Sequence, residues 1–288
     1  MKPKILIQLD TDLQPSVFDA VVAVDAGVEH LFRHGGVTAD HARDLVHGAL
    51  FTRAPAELSA TAIFIGGSNV AAAEAVLEKV KKTFFGPFKV SVLFDANGAN
   101  TTAAAAVLAA LQSAGGSLEG STVAVLAATG PVGQRAARLL CRLGARVTVG
   151  SRSLDRATAL AESLRQTTGG QVTPFAAIDG DDLSRELKPC SVIVAAGAAG
   201  ATLLPASVWR KLTKLKALID LNAVPPLGIE GVEATDKNTE RDAVKAWGAL
   251  GVGGTKMKIH KKAIQELFTS NDKILDAEQV LELGRSLA

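Results

Sequence analysis

The stretch richest in chemistry runs Thr122-Val123-Ala124-Val125-Leu126-Ala127-Ala128-Thr129-Gly130-Pro131-Val132-Gly133. An apolar run enters a glycine turn, and a helical pattern starts directly after it. Set against G-x-G-x-x-G it reads A-x-G-x-x-G, with Ala128 at the first glycine position. Gly130 would let the backbone approach a pyrophosphate, and Gly133 would let the helix pack closely on the strand. Thr129, Gly130, Pro131, Val132 and Gly133 thus form a candidate dinucleotide cradle, with the positive end of the helix toward the phosphates. No Gly-Lys-Ser/Thr follows, which excludes a Walker-type loop. The alternative is an ordinary tight turn between strand and helix.

A second strand, about 20 residues on, ends Val149-Gly150-Ser151-Arg152-Ser153. A site for NAD usually places a carboxylate here to hold the ribose 2′-hydroxyl, and none is present. Arg152 can pair instead with a 2′-phosphate, Ser151 can donate a hydrogen bond, and Arg156 follows in the next helix, so the reading favours NADP. The competing reading makes both arginines solvated charges. Ala196 and Gly197, after the apolar run Val192-Ile193-Val194, leave room for a ribose or nicotinamide beside the backbone. Asn222 closes another strand, and Gly253 lies in the glycine-rich segment Gly248–Gly254. Each is alternatively plain loop chemistry.

The elements that must hold these residues alternate. Strands are expected at Ile5–Leu9, Ala62–Ile65, Lys89–Phe94, Thr122–Ala127, Arg146–Gly150, Ser191–Ala195 and Ala217–Leu221. Helices are expected at Pro15–Asp25, Val70–Lys82, Val132–Leu143, Leu154–Thr167, Thr255–Leu267 and Asp276–Ser286. A further helix over Ala103–Ser113 is read as capped by Asn100-Thr101-Thr102 and ended by Gly115-Gly116. This pattern means an α/β fold with mainly parallel sheets. At 288 residues the chain has room for two domains. The division is placed at residues 1–118, joined by a C-terminal helix at 268–288, and 119–267 as a Rossmann-type domain. Charge supports the split weakly: 9 basic and 11 acidic side chains in 1–118, 22 and 18 in 119–288.

Composition excludes several classes. Hydrophobic residues are 48% and charged residues 21%, as in a packed globular protein rather than a disordered one. Lys and Arg number 31 against 29 Asp and Glu, which argues against a nucleic-acid partner or a polybasic membrane surface. There is no Tyr to serve as a general acid. Ile5-Leu6-Ile7 is too short for a signal-peptide core, and Gly197, Gly200 and Pro205 interrupt the longest apolar stretch, Val192 to Trp209. A cytoplasmic protein without a membrane span is expected. Cys141 and Cys190 read as small buried hydrophobes. His30 and His34 have the i, i+4 spacing of a metal pair, but Leu31 follows His30 and no third ligand is evident, so no metal is expected. His41, His47 and His260 read as surface or packing histidines.

Several segments together carry a resemblance. They are Asp10-Thr11-Asp12 with Pro15-Ser16-Val17-Phe18-Asp19, Phe84-Phe85-Gly86-Pro87-Phe88, and Asp95-Ala96-Asn97-Gly98-Ala99-Asn100-Thr101-Thr102-Ala103-Ala104. To these are added Thr129–Gly133, Pro225-Pro226-Leu227-Gly228-Ile229 and Gly248–Gly254. The set resembles the bacterial NAD(P)-dependent methylene-tetrahydromethanopterin dehydrogenases of formaldehyde oxidation, over essentially the whole chain. The resemblance implies a smaller α/β pterin-binding domain, a Rossmann domain, a cleft between them and a homo-oligomer. NADP-specific members carry a second basic residue after the arginine that matches Arg152; Ser153 stands there instead. That departure leaves NAD as a second cofactor and leans toward relatives restricted to tetrahydromethanopterin.

On this resemblance the pterin would meet Asp19, Asn97, Asn100, Thr102 and Lys256. A carboxylate accepts from the pterin's amino and ring N–H groups, and amides and hydroxyls fix its face. Each has a rival reading: a first-turn helix charge for Asp19, a turn before Gly98 for Asn97, helix capping for Asn100 and Thr102, and a solvated basic face for Lys256. The implied reaction moves a hydride from a carbon between two nitrogens and needs no proton transfer in that step, so the lack of a His–carboxylate pair in the sequence does not weigh against it. The alternatives are methylene-tetrahydrofolate or another small molecule as hydride donor, and a non-catalytic NADP-binding protein.

Overall fold

A computed structural model describes residues 2–176, 180–198 and 200–287. The chain forms two compact units, Met1–Thr101 with Met257–Ala288, and Thr102–Lys256. The first contains β1 (Ile5–Asp10), α1 (Val17–Asp25), β2 (His30–His34), α2 (Ala39–Phe51), β3 (Thr61–Gly66), α3 (Val70–Thr83) and β4 (Ser91–Phe94). Helix α4 (Ala99–Ser113) carries the chain into the second unit, with β5 (Thr122–Leu126), α5 (Pro131–Arg142), β6 (Arg146–Ser151), α6 (Leu154–Thr168), β7 (Val172–Ala176), α7 (Gly180–Leu187) and β8 (Val192–Ala195). Next come α8 (Ala206–Trp209), β9 (Ala217–Asp220), β10 (Lys237–Arg241) and β11 (Val244–Trp247). Helix α9 (Ala249–Glu266) returns the chain to the first unit, where β12 (Ile274–Leu275) and α10 (Ala277–Arg285) complete it.

The two compact units divide inside α4 and α9. A helix continues through each crossing, so no Pro- or Gly-rich linker marks it. Among the described residues no helix is long and apolar enough to cross a membrane.

The first unit's sheet is parallel throughout, in the order β12-β4-β3-β1-β2. Strands β3 and β4 are buried along their whole length, which explains their continuous apolar runs. Ile7, Ile63, Val92, Val46 and Val76 are among the residues of the core between this sheet and its helices. Asp95, 1% exposed, organises the entry to α4. Its Oδ1 accepts from the N–H groups of Asn100 (2.9 Å) and Thr101 (3.0 Å), and its Oδ2 from the Thr101 hydroxyl (2.7 Å). Asn100, Thr101 and Thr102 therefore lie within the helix rather than capping it. Gly116 does end the helix region, donating to the Leu111 carbonyl at 2.8 Å.

The second unit's sheet has the order β10-β11-β9-β8-β5-β6-β7, parallel except for the β10–β11 hairpin. From β5 the chain winds one way through β6 and β7, then the other way through β8 and β9. The switch point is therefore between β5 and β8, where open α/β sheets bind ligands. Helix α5 packs tightly on β5. A Cβ built on Gly133 would stand 2.7 Å from the Ala128 Cα and 2.9 Å from the carbonyl oxygens of Ala127 and Ala128. On Gly130 the nearest atoms would be the carbonyl oxygens of Ala127 (3.7 Å) and Ala196 (3.9 Å), ordinary contacts.

Two predictions follow from these contacts, both read by urea unfolding. Asp95→Ala leaves buried donors without their acceptor and is expected to lower stability by about 2–4 kcal/mol. Gly133→Ala forces α5 off β5 and is expected to cost about 1–3 kcal/mol, whereas Gly130→Ala costs well under half as much. Equal losses at the two glycines would contradict the packing argument.

Candidate functional site

At the end of β5 the backbone takes a left-handed residue, Ala127 (φ 53°), before Gly130 caps α5 and Pro131 opens it. Helix α5 starts without a side-chain cap, as do α2 and α8, whereas Ser16, Asn69, Ser153 and Asp276 cap α1, α3, α6 and α10. Its N-terminal partial charge is left to whatever lies beyond β5. The loops after β5 and β8 meet there, since Ala196 flanks Gly130. A backbone cradle of this shape, at a switch point and with room beside Gly130, fits a dinucleotide pyrophosphate.

At the end of β6, Ser151 is buried and its Oγ accepts from the Ser153 N–H at 3.3 Å. Ser153 in turn caps α6 by accepting from the Arg156 N–H. Ser153 thus serves as the helix cap at this strand end. The Arg152 and Arg156 side chains are exposed, and among the described residues neither makes a hydrogen bond or an ion pair. Gly197 owes its size to Leu203, whose Cδ1 would lie 2.6 Å from an added Cβ.

Asn222 is occupied by its own turn. Its Nδ2 donates to the Pro226 carbonyl (3.0 Å), its Oδ1 accepts from the Val224 N–H (3.0 Å), and its N–H donates to Asp220. These bonds hold the Asn222 side chain in a fixed orientation at the end of β9. Asp220 is 1% exposed and also accepts from the Ile229 N–H at 2.8 Å. Burial pushes its carboxyl above the usual carboxylate range, against the pull of those N–H groups. The glycine-rich segment near 250 is a correction, because most of it is the first turns of α9. Cβ atoms on Gly248 and Gly251 would each meet a backbone carbonyl oxygen, of Glu233 and Asp236, at 1.9 Å. These two glycines serve internal packing, whereas no atom lies within 4 Å of a Cβ on Gly253.

In the first unit the corresponding switch point lies between β1 and β3. Asp10 is fully buried there, accepting from the N–H groups of Asp12 (3.0 Å) and Ser16 (3.1 Å), so it fixes the start of α1. Asp12 holds Ser68 through the latter's N–H (2.9 Å) and hydroxyl (2.8 Å). Asp19 lies in the first turn of α1, its side chain 15% exposed. Asn97 is exposed in the left-handed region (φ 54°), where Asn is tolerated.

Asn100 is fully buried, and its Nδ2 donates to the Phe94 carbonyl (2.6 Å) and to Asp276 Oδ1 (2.8 Å). It ties β4 to the cap of α10 and is not available to a ligand. Thr102 and Lys256 are half-buried, on α4 and α9. One feature escaped the sequence reading: His260, 1% exposed, places Nε2 4.0 Å from Asp19 Oδ1. Its only signal was a position one helical turn after Lys256. His30 and His34 sit at opposite ends of strand β2, about 13 Å apart by strand rise, so they make no pair.

A family model described as methylene-tetrahydromethanopterin dehydrogenase, N-terminal, matches residues 17–97. Over its whole length the chain is 46% identical to the whole of a relative named Bifunctional protein MdtA from Methylorubrum extorquens strain AM1. It is 31% identical to the NAD(P)-dependent methylenetetrahydromethanopterin dehydrogenase of the same organism, over 95% of each chain. Among solved structures, shikimate 5-dehydrogenase from Listeria monocytogenes matches with a TM-score of 0.55 and 14% identity, over 99% of this chain and 96% of that one. Quinate dehydrogenase from Corynebacterium glutamicum matches with a TM-score of 0.52 and 16% identity, over 99% of each. At such identities these two speak for the fold alone. The full-length relatives identify the family: the chain belongs to the NAD(P)-dependent methylene-tetrahydromethanopterin dehydrogenases.

Proposed function

We propose that the chain oxidises methylene-tetrahydromethanopterin to the methenyl form by reversible hydride transfer to NADP, with NAD as a weaker acceptor. The observation that carries the reading is the full-length relation to a dehydrogenase named for that substrate, in a chain whose β5–α5 turn fits a dinucleotide. NADP, when bound, supplies the hydride acceptor. The uncapped start of α5, with Thr129 to Gly133, holds the pyrophosphate. Ser151, Arg152 and Arg156 hold the 2′-phosphate, and Ala196, Gly197 and Gly253 give the cofactor close access to backbone. Asp19, Asn97, Thr102 and Lys256 bind and orient the pterin. The two nitrogens flanking the donor carbon stabilise the cation formed there, so orientation matters more than acid–base chemistry. A homo-oligomer is part of this reading.

A second reading keeps the reaction and adds methylene-tetrahydrofolate as a substrate. Turnover measured on both carriers separates the two readings.

Growth of reduced-nicotinamide absorbance with methylene-tetrahydromethanopterin is the direct test. Turnover with NADP is expected to exceed that with NAD, and no turnover with either overturns the proposal. Arg152→Ala removes a charge-assisted contact and is expected to weaken NADP about 10- to 100-fold while leaving NAD within about twofold. Equal weakening of both cofactors contradicts the phosphate-ligand role.

A further inference from the structure

We infer that His260 is a positioning residue for Asp19, setting the carboxylate that meets the pterin; the inference rests on the reading of Asp19 as a pterin ligand. His260 is almost fully buried on α9. Its ring stacks on Phe64, with centroids 5.8 Å apart and planes at 23°, and tilts against Phe18 at 6.4 Å and 34°. Phe64 is itself 1% exposed, on strand β3 in the middle of the sheet. The core therefore holds the plane of the imidazole.

From that fixed seat Nε2 points its polar edge at Asp19 Oδ1, 4.0 Å away. That is longer than a direct hydrogen bond. Phe18, the residue before Asp19, touches the same ring, so one side chain of α9 locates two consecutive residues of α1. The next residue, Lys261, pairs its Nζ with Asp25 Oδ2 at 2.7 Å, in the last turn of α1. Two neighbouring residues of α9 thus hold α1 at both ends, the inner one buried and the outer one exposed.

An exposed pair such as Lys261–Asp25 contributes little to stability, whereas a buried ring packed beside a carboxylate limits the space that side chain can sample. Lys256 lies one turn before His260 on the same face of α9, so one helix carries both a cationic pterin-binding candidate and the group that orients an anionic one. Preorganising a binding carboxylate in this way raises transition-state affinity without touching the reacting atoms.

The test uses the full-length enzyme and steady-state kinetics on both substrates. His260→Phe keeps the stack on Phe64 and removes the nitrogens. It is expected to raise the pterin KM about tenfold, with the NADP KM changed less than about twofold. His260→Gln, which keeps an N–H donor but loses the ring stack, is expected to recover only part of the loss. In an Asp19→Asn background, His260→Phe is expected to add less than about twofold, because the residue it acts through is already altered. Phe64→Leu loosens the ring without removing its nitrogens and is expected to raise the pterin KM about two- to fivefold, an independent reading if His260→Phe does not fold.

An unchanged pterin KM in His260→Phe or Phe64→Leu, beside a raised one in Asp19→Asn, overturns the inference and leaves the Asp19 reading standing. The full tenfold effect persisting in the Asp19→Asn background also overturns it. An Asp19→Asn enzyme with unchanged pterin kinetics removes the Asp19 reading itself, and the inference with it.

Discussion

No side chain fits at residue 133. A methyl group there would collide with the backbone of Ala128, and that constraint seats α5 directly on β5. Because α5 lies so close, its first turn starts where β5 ends, beside the loop that follows β8. Sheet order makes that spot the switch point, and the missing side-chain cap leaves the helix end to an anion. Ala128 at the first glycine position is accommodated because Ala127, one residue earlier, takes the left-handed turn. The nucleotide end of the molecule follows from this one approach of helix to strand.

A second device recurs in both units. Asp10 ends β1, Asp95 follows β4 and Asp220 ends β9, and all three are nearly or fully buried. Each turns its carboxylate onto backbone N–H groups of the segment that follows, a loop after β1 and β9 and the first turn of α4 after β4. A buried carboxylate is costly unless it is hydrogen-bonded, and these are. What results is rigid loops at the carboxyl ends of parallel strands, where residues that bind ligands have to stand still. Asp10 fixes the start of the helix that carries Asp19, and Asp95 anchors the segment that holds Asn97.

Much of this was legible in the sequence, for identifiable reasons. Buried parallel strands such as β3, β5 and β8 are continuous apolar runs, and Ser16, Asn69 and Ser153 announce the helices they cap. Strand β2 was missed because His30–His34 is an edge strand, mostly exposed, with no apolar alternation. The β10–β11 turn was missed because its two left-handed residues are Asp242 and Ala243 rather than Asn-Gly. Helix α2 carries its signal in Ala42, Val46, Ala49 and Leu50, spaced to share one helical face.

In the site, local chemistry could nominate Asn100 and Asn222 but could not say that their amides are consumed internally. That depends on Asp276 and Pro226 arriving from elsewhere in the fold or turn. The contact of His260 with Asp19 joins residues 241 positions apart and leaves no local trace.

The proposed reaction is a direct transfer of hydride from the methylene carbon to the nicotinamide with no exchange step. It is tested most directly by isotope tracing. Methylene-tetrahydromethanopterin dideuterated at that carbon is turned over with NADP in ordinary water, and the reduced cofactor is examined by mass spectrometry and NMR. The account predicts deuterium at nicotinamide C4 in every reduced molecule, and none when unlabelled substrate is turned over in heavy water. Reduced cofactor lacking the substrate's deuterium, or carrying label from the solvent, would contradict it.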